Sequence, residues 1–173
     1  SYTTTPLWLT RGFHPGMFSS LEERGSVILD VNGDRLDARL LDRYGVDRTI
    51  IVAIWGVETN YGTQPGDMNV IRSLATLAYY NTKASFARQQ LITALKILQR
   101  GDISVEAMNG SWAGAMGHTQ FIPTTYQSYA VDYDGDGKRK IWNDVPDALA
   151  STASYLKHPN WPAGQTWGYE VTL

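Results

Sequence analysis

The sequence predicts a mainly helical domain with little β structure, and three observations carry that reading. Apolar residues recur at helical spacing in successive segments, each bounded by an Asp, Pro or Gly of the kind that starts or stops a helix. Strand signals are confined to one Asn-Gly turn and the tail. The chain has 173 residues, 43% of them hydrophobic. That length suits a single domain over 1–173 with a sizeable core.

The elements follow in order. Residues 1–35 mix turn formers with scattered aromatics and are expected to be irregular, apart from Asn32-Gly33, a hairpin turn signal. Asp30, Asn32 and Asp34 have calcium-loop spacing, but Arg35 stands where such a loop needs Gly, so no metal is assigned there. From Leu36, the spacing of Leu40, Leu41 and Tyr44 predicts a helix that Gly45 stops. Asp47 caps a second helix, 48–61, with Gly62 past its end. A third covers 71–80. The longest covers 84–100, with Phe86, Leu91, Leu95 and Leu98 inward. A short helix is expected over 104–108. Pro123 opens another that carries Tyr126 and Tyr129. Asp144 caps the last, which bears Ala148, Leu149, Ala153 and Leu156. Residues 160–173 form a Trp-, Pro- and Gly-containing tail, expected to be irregular.

Composition excludes several functions. The net charge is −2, without the basic stripe a nucleic-acid binder carries. The apolar run 50–57 is too short for a bilayer span, which needs about 20 residues. With no cysteine, there are no disulfides, thiolate metal sites or cysteine nucleophiles. No G-x-S-x-G elbow or Gly-Lys-Ser/Thr phosphate loop occurs, His14, His118 and His158 have no metal spacing, and no organic cofactor is expected. Residue 1 is Ser, so the chain reads as a mature or trimmed product. Six Trp, ten Tyr and four Phe give the ring surface on which sugar C–H faces pack.

One glutamate stands apart. Glu58 follows Ile50-Ile51-Val52-Ala53-Ile54-Trp55-Gly56-Val57, a segment apolar on every side and so expected to be buried. Ile54 and Trp55 lie four and three residues before it, on its own face. It sits at the negative end of the helix dipole. Desolvation and dipole both favour the protonated carboxyl, as a general acid working near neutral pH requires. The alternative is a structural Glu paired with a buried Arg. Further on, Gly110-Ser111-Trp112-Ala113-Gly114-Ala115-Met116-Gly117-His118-Thr119-Gln120-Phe121-Ile122-Pro123 combines close-approach residues with polar groups and apolar walls. Ser111 and Gln120 can hydrogen-bond a ligand there; tight packing through small residues is the other reading.

Asp132-Tyr133-Asp134-Gly135-Asp136-Gly137 has carboxylates at loop positions 1, 3 and 5 and Gly at 6, the first half of an EF-hand-like loop whose next ligand is the Lys138 carbonyl. All-oxygen ligands favour Ca²⁺. Position 12 is Asn143 rather than Glu, so Asp144 or Asp147 must close the site. A turn with solvated carboxylates is the alternative.

Together the three segments resemble the lytic murein transglycosylase B family: Ala53-Ile54-Trp55-Gly56-Val57-Glu58-Thr59-Asn60-Tyr61-Gly62, the 110–123 stretch, and the Asp132 to Gly137 loop, in that order. The resemblance covers roughly 40–156. It implies a lysozyme-like helical domain acting on peptidoglycan glycan strands in the periplasm or cell envelope, as a monomer, with cell-wall assembly partners unspecified. By motif match Glu58 is the catalytic acid/base, while Ser111, Gln120 and Phe121 line the cleft; Tyr61 is assigned to substrate as well. Asp132, Asp134, Asp136 and the Lys138 carbonyl match calcium ligands, with Asp147 preferred for closure and Asp144 in reserve. The expected reaction cleaves the MurNAc–GlcNAc β-1,4 bond and leaves a 1,6-anhydroMurNAc end. A hydrolytic muramidase, or a non-catalytic glycan-binding module, are the alternatives. Members of that family are usually longer at both ends, so this chain is expected to be a reduced form or a piece.

Overall fold

The computed structural model describes residues 21–23, 26–31, 34–37, 43–80 and 84–158. They belong to two compact units, Ser1–Arg39 and Leu40–Leu173. In the first unit β1 (Leu21–Glu23), β2 (Ser26–Val31) and β3 (Asp34–Asp37) form an antiparallel meander in that order. Val31 pairs with Asp34, and the Asn32-Gly33 turn signal lies outside the described residues. Two expectations change here. Part of the segment read as irregular is sheet, and the helix read from Leu36 does not start there, because Leu36 and Asp37 pair with Leu29 and Ile28. A helical pattern this short is marginal on its own, and strand pairing overrides it. Arg43, Tyr44 and Gly45 form a turn.

The second unit is mostly helical. Its helices are α1 (Arg48–Thr59), α2 (Val70–Tyr80), α3 (Ala84–Arg100), α4 (Pro123–Tyr129) and α5 (Val145–Lys157). A two-residue ladder joins β4 (Met68–Asn69) to β5 (Asn109–Gly110). Asp47 caps α1 by accepting from Thr49 N at 2.8 Å, and Asp144 caps α5 by accepting from Asp147 N at 3.0 Å. The 104–108 segment is a turn rather than a helix, closed by Met108 N donating to Ser104 O.

The core lies between α2, α3, α4 and α5, around Leu74, Ile97, Met108, Met116, Tyr126 and Ile141. α5 runs through its centre: Ala148, Leu149, Ala150, Ser151, Thr152 and Ala153 are all buried, since small side chains let neighbours close in on every side. The face of α3 turns out differently from its apolar spacing. Ala87, Gln90, Ala94 and Ile97 are buried, whereas Phe86 and Leu95 are 48% and 49% exposed. Close approach through Ala87 and Ala94 fixes that rotation. Gln90 Oε1 then accepts from both N and Oγ1 of Thr124, serving from another helix as the cap that Ile122 cannot provide. The tail 160–173 lies outside the described residues.

Candidate active site

Glu58 sits in the last turn of α1, which the chain leaves by an abrupt reversal. Asn60, Tyr61 and Gly62 are all left-handed, with φ of 49°, 58° and 81°. Two consecutive non-glycine residues in that region are costly, and such strain persists only where surroundings fix it. Thr59 does much of the fixing. Its buried hydroxyl donates to His118 O at 2.6 Å and accepts from Gly62 N at 2.9 Å. The His118 ring is held in turn by Trp55, whose Nε1 donates to Nδ1 at 3.1 Å. The end of α1 is thereby tied to the loop carrying Gln120, itself left-handed at φ 55°.

Gly62 is required where it stands. A Cβ there would collide with Cε1 and Nδ1 of the clamped His118 ring. Gly62→Ala is therefore expected to cost about 2–4 kcal/mol, from left-handed strain plus overpacking. A thermal melt reads this as a drop of several degrees; an unchanged melting temperature would mean that the clamp yields freely.

The structure brings Glu58, Gln120 and Phe121 into one cavity of about 280 Å³, with Ile54 and Tyr155 on its walls. Thr119, Thr125 and Thr152 add hydroxyls. Tyr155 meets Phe121 edge-on at 5.8 Å, giving a two-ring wall. Gln120 spends its amide N–H groups on Pro65 O and Gly117 O, both at 3.0 Å, and its Oε1 accepts no bond from the described residues. That oxygen is available to a donor in the cavity.

The burial expected for Glu58 is corrected. Only the Ile51, Trp55 and Thr59 stripe of α1 is buried; Val57 is 79% exposed and Glu58 is exposed. Ile54 stays beside Glu58, but Trp55 turns inward to His118. The sequence is apolar all round the helix, yet among the described residues it packs on one face only.

Ser111 and Tyr61 do not line the cavity. Ser111 Oγ braces its own loop, accepting from Ala115 N at 3.0 Å. The Tyr61 ring folds back across Gly56, where an added Cβ would lie 2.7 Å from its Cζ and OH, and meets Trp55 at 5.6 Å. Burial holds its phenol above the ordinary pKa. Tyr155, by contrast, carries no signal as a wall residue: it looks like an ordinary member of its helix, and only the packing of α1 against α5 brings it to Ile54 and Glu58.

At the acidic loop, carboxylate oxygens of Asp132, Asp134 and Asp147 converge within 4.8 Å of one another. Asp147 is fully buried and ties the loop shut, accepting from Tyr133 N and Lys140 N at 2.7 Å each. Burial first, and then the Asp144 and Asp134 carboxylates, push its pKa up against those two N–H donors. Asp136 turns away to Lys140, 2.6 Å from its Nζ, and Asp144 caps α5. The Lys140 hydrogen bond lowers the Asp136 pKa, and the same bond raises that of Lys140. A buried acid pushed up by its neighbours, in an oxygen-only cluster, fits a hard divalent cation.

Comparison with known proteins points one way. Residues 20–173 match the transglycosylase SLT domain. The chain is 41% identical over 122 residues to membrane-bound lytic murein transglycosylase B of Escherichia coli (strain K12), covering 70% of this chain and 34% of that protein. It thus spans about a third of that relative's length. Among solved structures, SltB3 from Pseudomonas aeruginosa in complex with NAG-NAM-pentapeptide is 62% identical with a TM-score of 0.75, over 79% of this chain and 37% of that one. Escherichia coli Slt35 in complex with calcium is 39% identical with a TM-score of 0.69, over 74% and 41%.

Proposed function

Because this chain belongs to the transglycosylase SLT domain family, we propose that it is a lytic transglycosylase with Glu58 as its one acid/base. The observation that carries this reading is the cavity itself. Among the described residues lining it, Glu58 is the only carboxylate, set between neutral hydroxyls, an amide and two rings. Glycosidases of the ordinary kind need two carboxylates flanking the bond. One suffices if the substrate brings its own nucleophile. Glu58 protonates the glycosidic oxygen between MurNAc and GlcNAc, and the bond to C1 breaks. The N-acetyl carbonyl oxygen stabilises C1. The C6 hydroxyl then attacks C1 and gives its proton to the Glu58 carboxylate, so the acid is restored and no water is consumed. Gln120 Oε1 accepts an N–H or O–H of the sugar, and Phe121 and Tyr155 take its C–H face. Ser111 and Tyr61 act from outside the cavity, through the loop and turn they brace. Cleavage of peptidoglycan places the protein in the cell envelope.

The rival with a specific observation in its favour is a hydrolytic muramidase, because exposed Glu58 is open to water. Product mass separates the two. Incubation with purified sacculi is expected to release muropeptides with anhydro ends; reducing ends, heavier by one water, would assign a hydrolase.

We infer too that Asp132, Asp134 and Asp147 hold Ca²⁺, joined by the Lys138 carbonyl and by Asp136 once it leaves Lys140. The ion supplies charge and rigidity to the loop between α4 and α5, and takes no part in the chemistry. At about 100 times its Kd it adds about 2.7 kcal/mol, roughly 5–10 °C in melting temperature. Chelator is expected to remove that increment, and Asp147→Asn to abolish it; a melting curve insensitive to both calcium and chelator would contradict the site.

A further inference from the structure

His118 does not line the Glu58 cavity, yet the segments that build the cavity meet at it. Its carbonyl accepts from Thr59 Oγ1 at 2.6 Å, one residue from Glu58. Its backbone N donates to Ile141 O at 2.9 Å, where the chain leaves the acidic loop. Gly117, just before it, has a φ of 72° and no room for a side chain, since a Cβ would lie 2.6 Å from Ile141 O. Thr119, Gln120, Phe121 and Ile122, which follow it, all line the cavity.

The ring is held as closely as the backbone. Trp55 is 1% exposed, and an indole N–H can only donate. The Nδ1 that receives it at 3.1 Å therefore carries a lone pair, which makes the imidazole neutral with its proton on Nε2. Gly62 packs on the same ring, where a Cβ would collide. Trp55 and Gly62, before and after Glu58 in the chain, thus both rest on one imidazole. Backbone strain gathers at the same place. Asn60, Tyr61 and Gln120 are the non-glycine residues with positive φ among the described residues. All three lie within two residues of the Thr59–His118 hydrogen bond. Such strain persists where the surroundings over-determine it, and it clusters at functional sites. Ordinary packing of a helix on a loop needs none. Glu58 itself makes no hydrogen bond to the described residues, so its placement is set by the backbone that carries it.

We propose that His118 is a positioning residue for the cleavage reaction: its neutral ring, held by Trp55 and packed on Gly62, fixes the last turn of α1 so that Glu58 is presented to the cavity wall carrying Gln120 and Phe121. The proposal rests on the assignment of Glu58 as acid/base, and adds what sets that carboxyl in place.

Two variants separate the acceptor from the ring. His118→Phe keeps a ring but leaves Trp55 Nε1 without its acceptor; His118→Gln returns one on an amide oxygen. Turnover of a soluble NAG-NAM-NAG-NAM tetrasaccharide is followed by mass spectrometry, well below the melting temperature of every variant. In His118→Phe, kcat is expected to fall about tenfold to a hundredfold with KM within about threefold of the parent, as misplacement of a reacting group does. His118→Gln is expected to recover most of that loss. Trp55→Phe removes the donor instead, and combining it with His118→Phe is expected to lose no more than either change alone, since both delete one hydrogen bond. A parental kcat in His118→Phe, a loss confined to KM, or losses that multiply in the double variant would overturn the proposal. If His118→Phe does not fold, Trp55→Phe decides: a parental kcat there overturns it equally. Turnover retained in Glu58→Gln would overturn the Glu58 assignment instead, whatever the His118 variants show.

Discussion

Glu58→Gln is expected to keep the fold and lose turnover on sacculi by at least about 10²–10⁴-fold, the contribution of a positioned acid/base. The amide is nearly isosteric and cannot supply the proton that the leaving oxygen needs. The residue is exposed and makes no hydrogen bond to the described residues, so its replacement has little to disturb in packing. The melting temperature of the variant is therefore expected to stay within a degree or two of the parent. That separation of fold from activity is the point of the experiment. An active Glu58→Gln would remove Glu58 from the chemistry, and a grossly destabilised one would make it a structural residue instead. Asp67 gives the control: it does not line the Glu58 cavity, and its replacement by Asn is expected to leave the bond-breaking step running.

Asp102→Asn is expected to produce the largest loss of stability, about 3–5 kcal/mol, or roughly 10–15 °C in a thermal melt. The Asp102 side chain is 2% exposed and meets Arg139 Nη2 at 3.1 Å, with Arg139 itself 13% exposed. Arg139 belongs to the acidic loop and stacks over Tyr126, 4.7 Å from its centroid, while Tyr126 OH donates to Arg139 O at 2.7 Å. Burial, and next the nearby Asp102 carboxylate, keep that phenol above its ordinary pKa. Loss of the carboxylate strands a buried guanidinium whose Nε already lacks a partner among the described residues. The second ion pair, to Arg100 at 3.3 Å, adds little because Arg100 is 59% exposed. Replacing both partners, as in Asp102→Asn with Arg139→Met, is expected to cost less than Asp102→Asn alone, since no unpaired charge is then buried. A double variant less stable than the single one would mean that the pair is not the source of the loss. Either variant also loosens the loop that presents Asp132 and Asp134, so calcium affinity is expected to fall with stability.

Much of this molecule was legible before any coordinates. The caps at Asp47 and Asp144 mark the starts of α1 and α5, because a side-chain acceptor ahead of an apolar stretch has few other uses. Gly101 closes α3 as its left-handed φ of 79° requires. What could not be read was rotation and company. The apolar spacing of α3 offered Phe86 and Leu95 as inward residues; contact through Ala87 and Ala94 turned them out. An all-round apolar helix implied a buried Glu58, yet among the described residues α1 is covered on one stripe only. Of the site residues, Glu58, Gln120 and Phe121 meet in one cavity, because two segments far apart in sequence are sewn together by Thr59 and Trp55 through His118. No local pattern encodes that stitch. In the acidic loop the spacing points to Asp132, Asp134 and Asp136; the structure brings Asp132 and Asp134 together with Asp147, while Asp136 pairs with Lys140. The loop's closure was not legible: on spacing Asp144 and Asp147 are both open, and only the packing shows that Asp144 caps α5 while buried Asp147 accepts from the loop amides of Tyr133 and Lys140.

The central claim is that a single carboxylate cleaves the strand without consuming water. The most direct measurement is digestion of sacculi in ¹⁸O-labelled water, with mass spectrometry of the released muropeptides. Anhydro ends carrying no label, absent from the Glu58→Gln digest, are the expected result. Label at C1 of a reducing MurNAc would contradict it and identify water as the nucleophile.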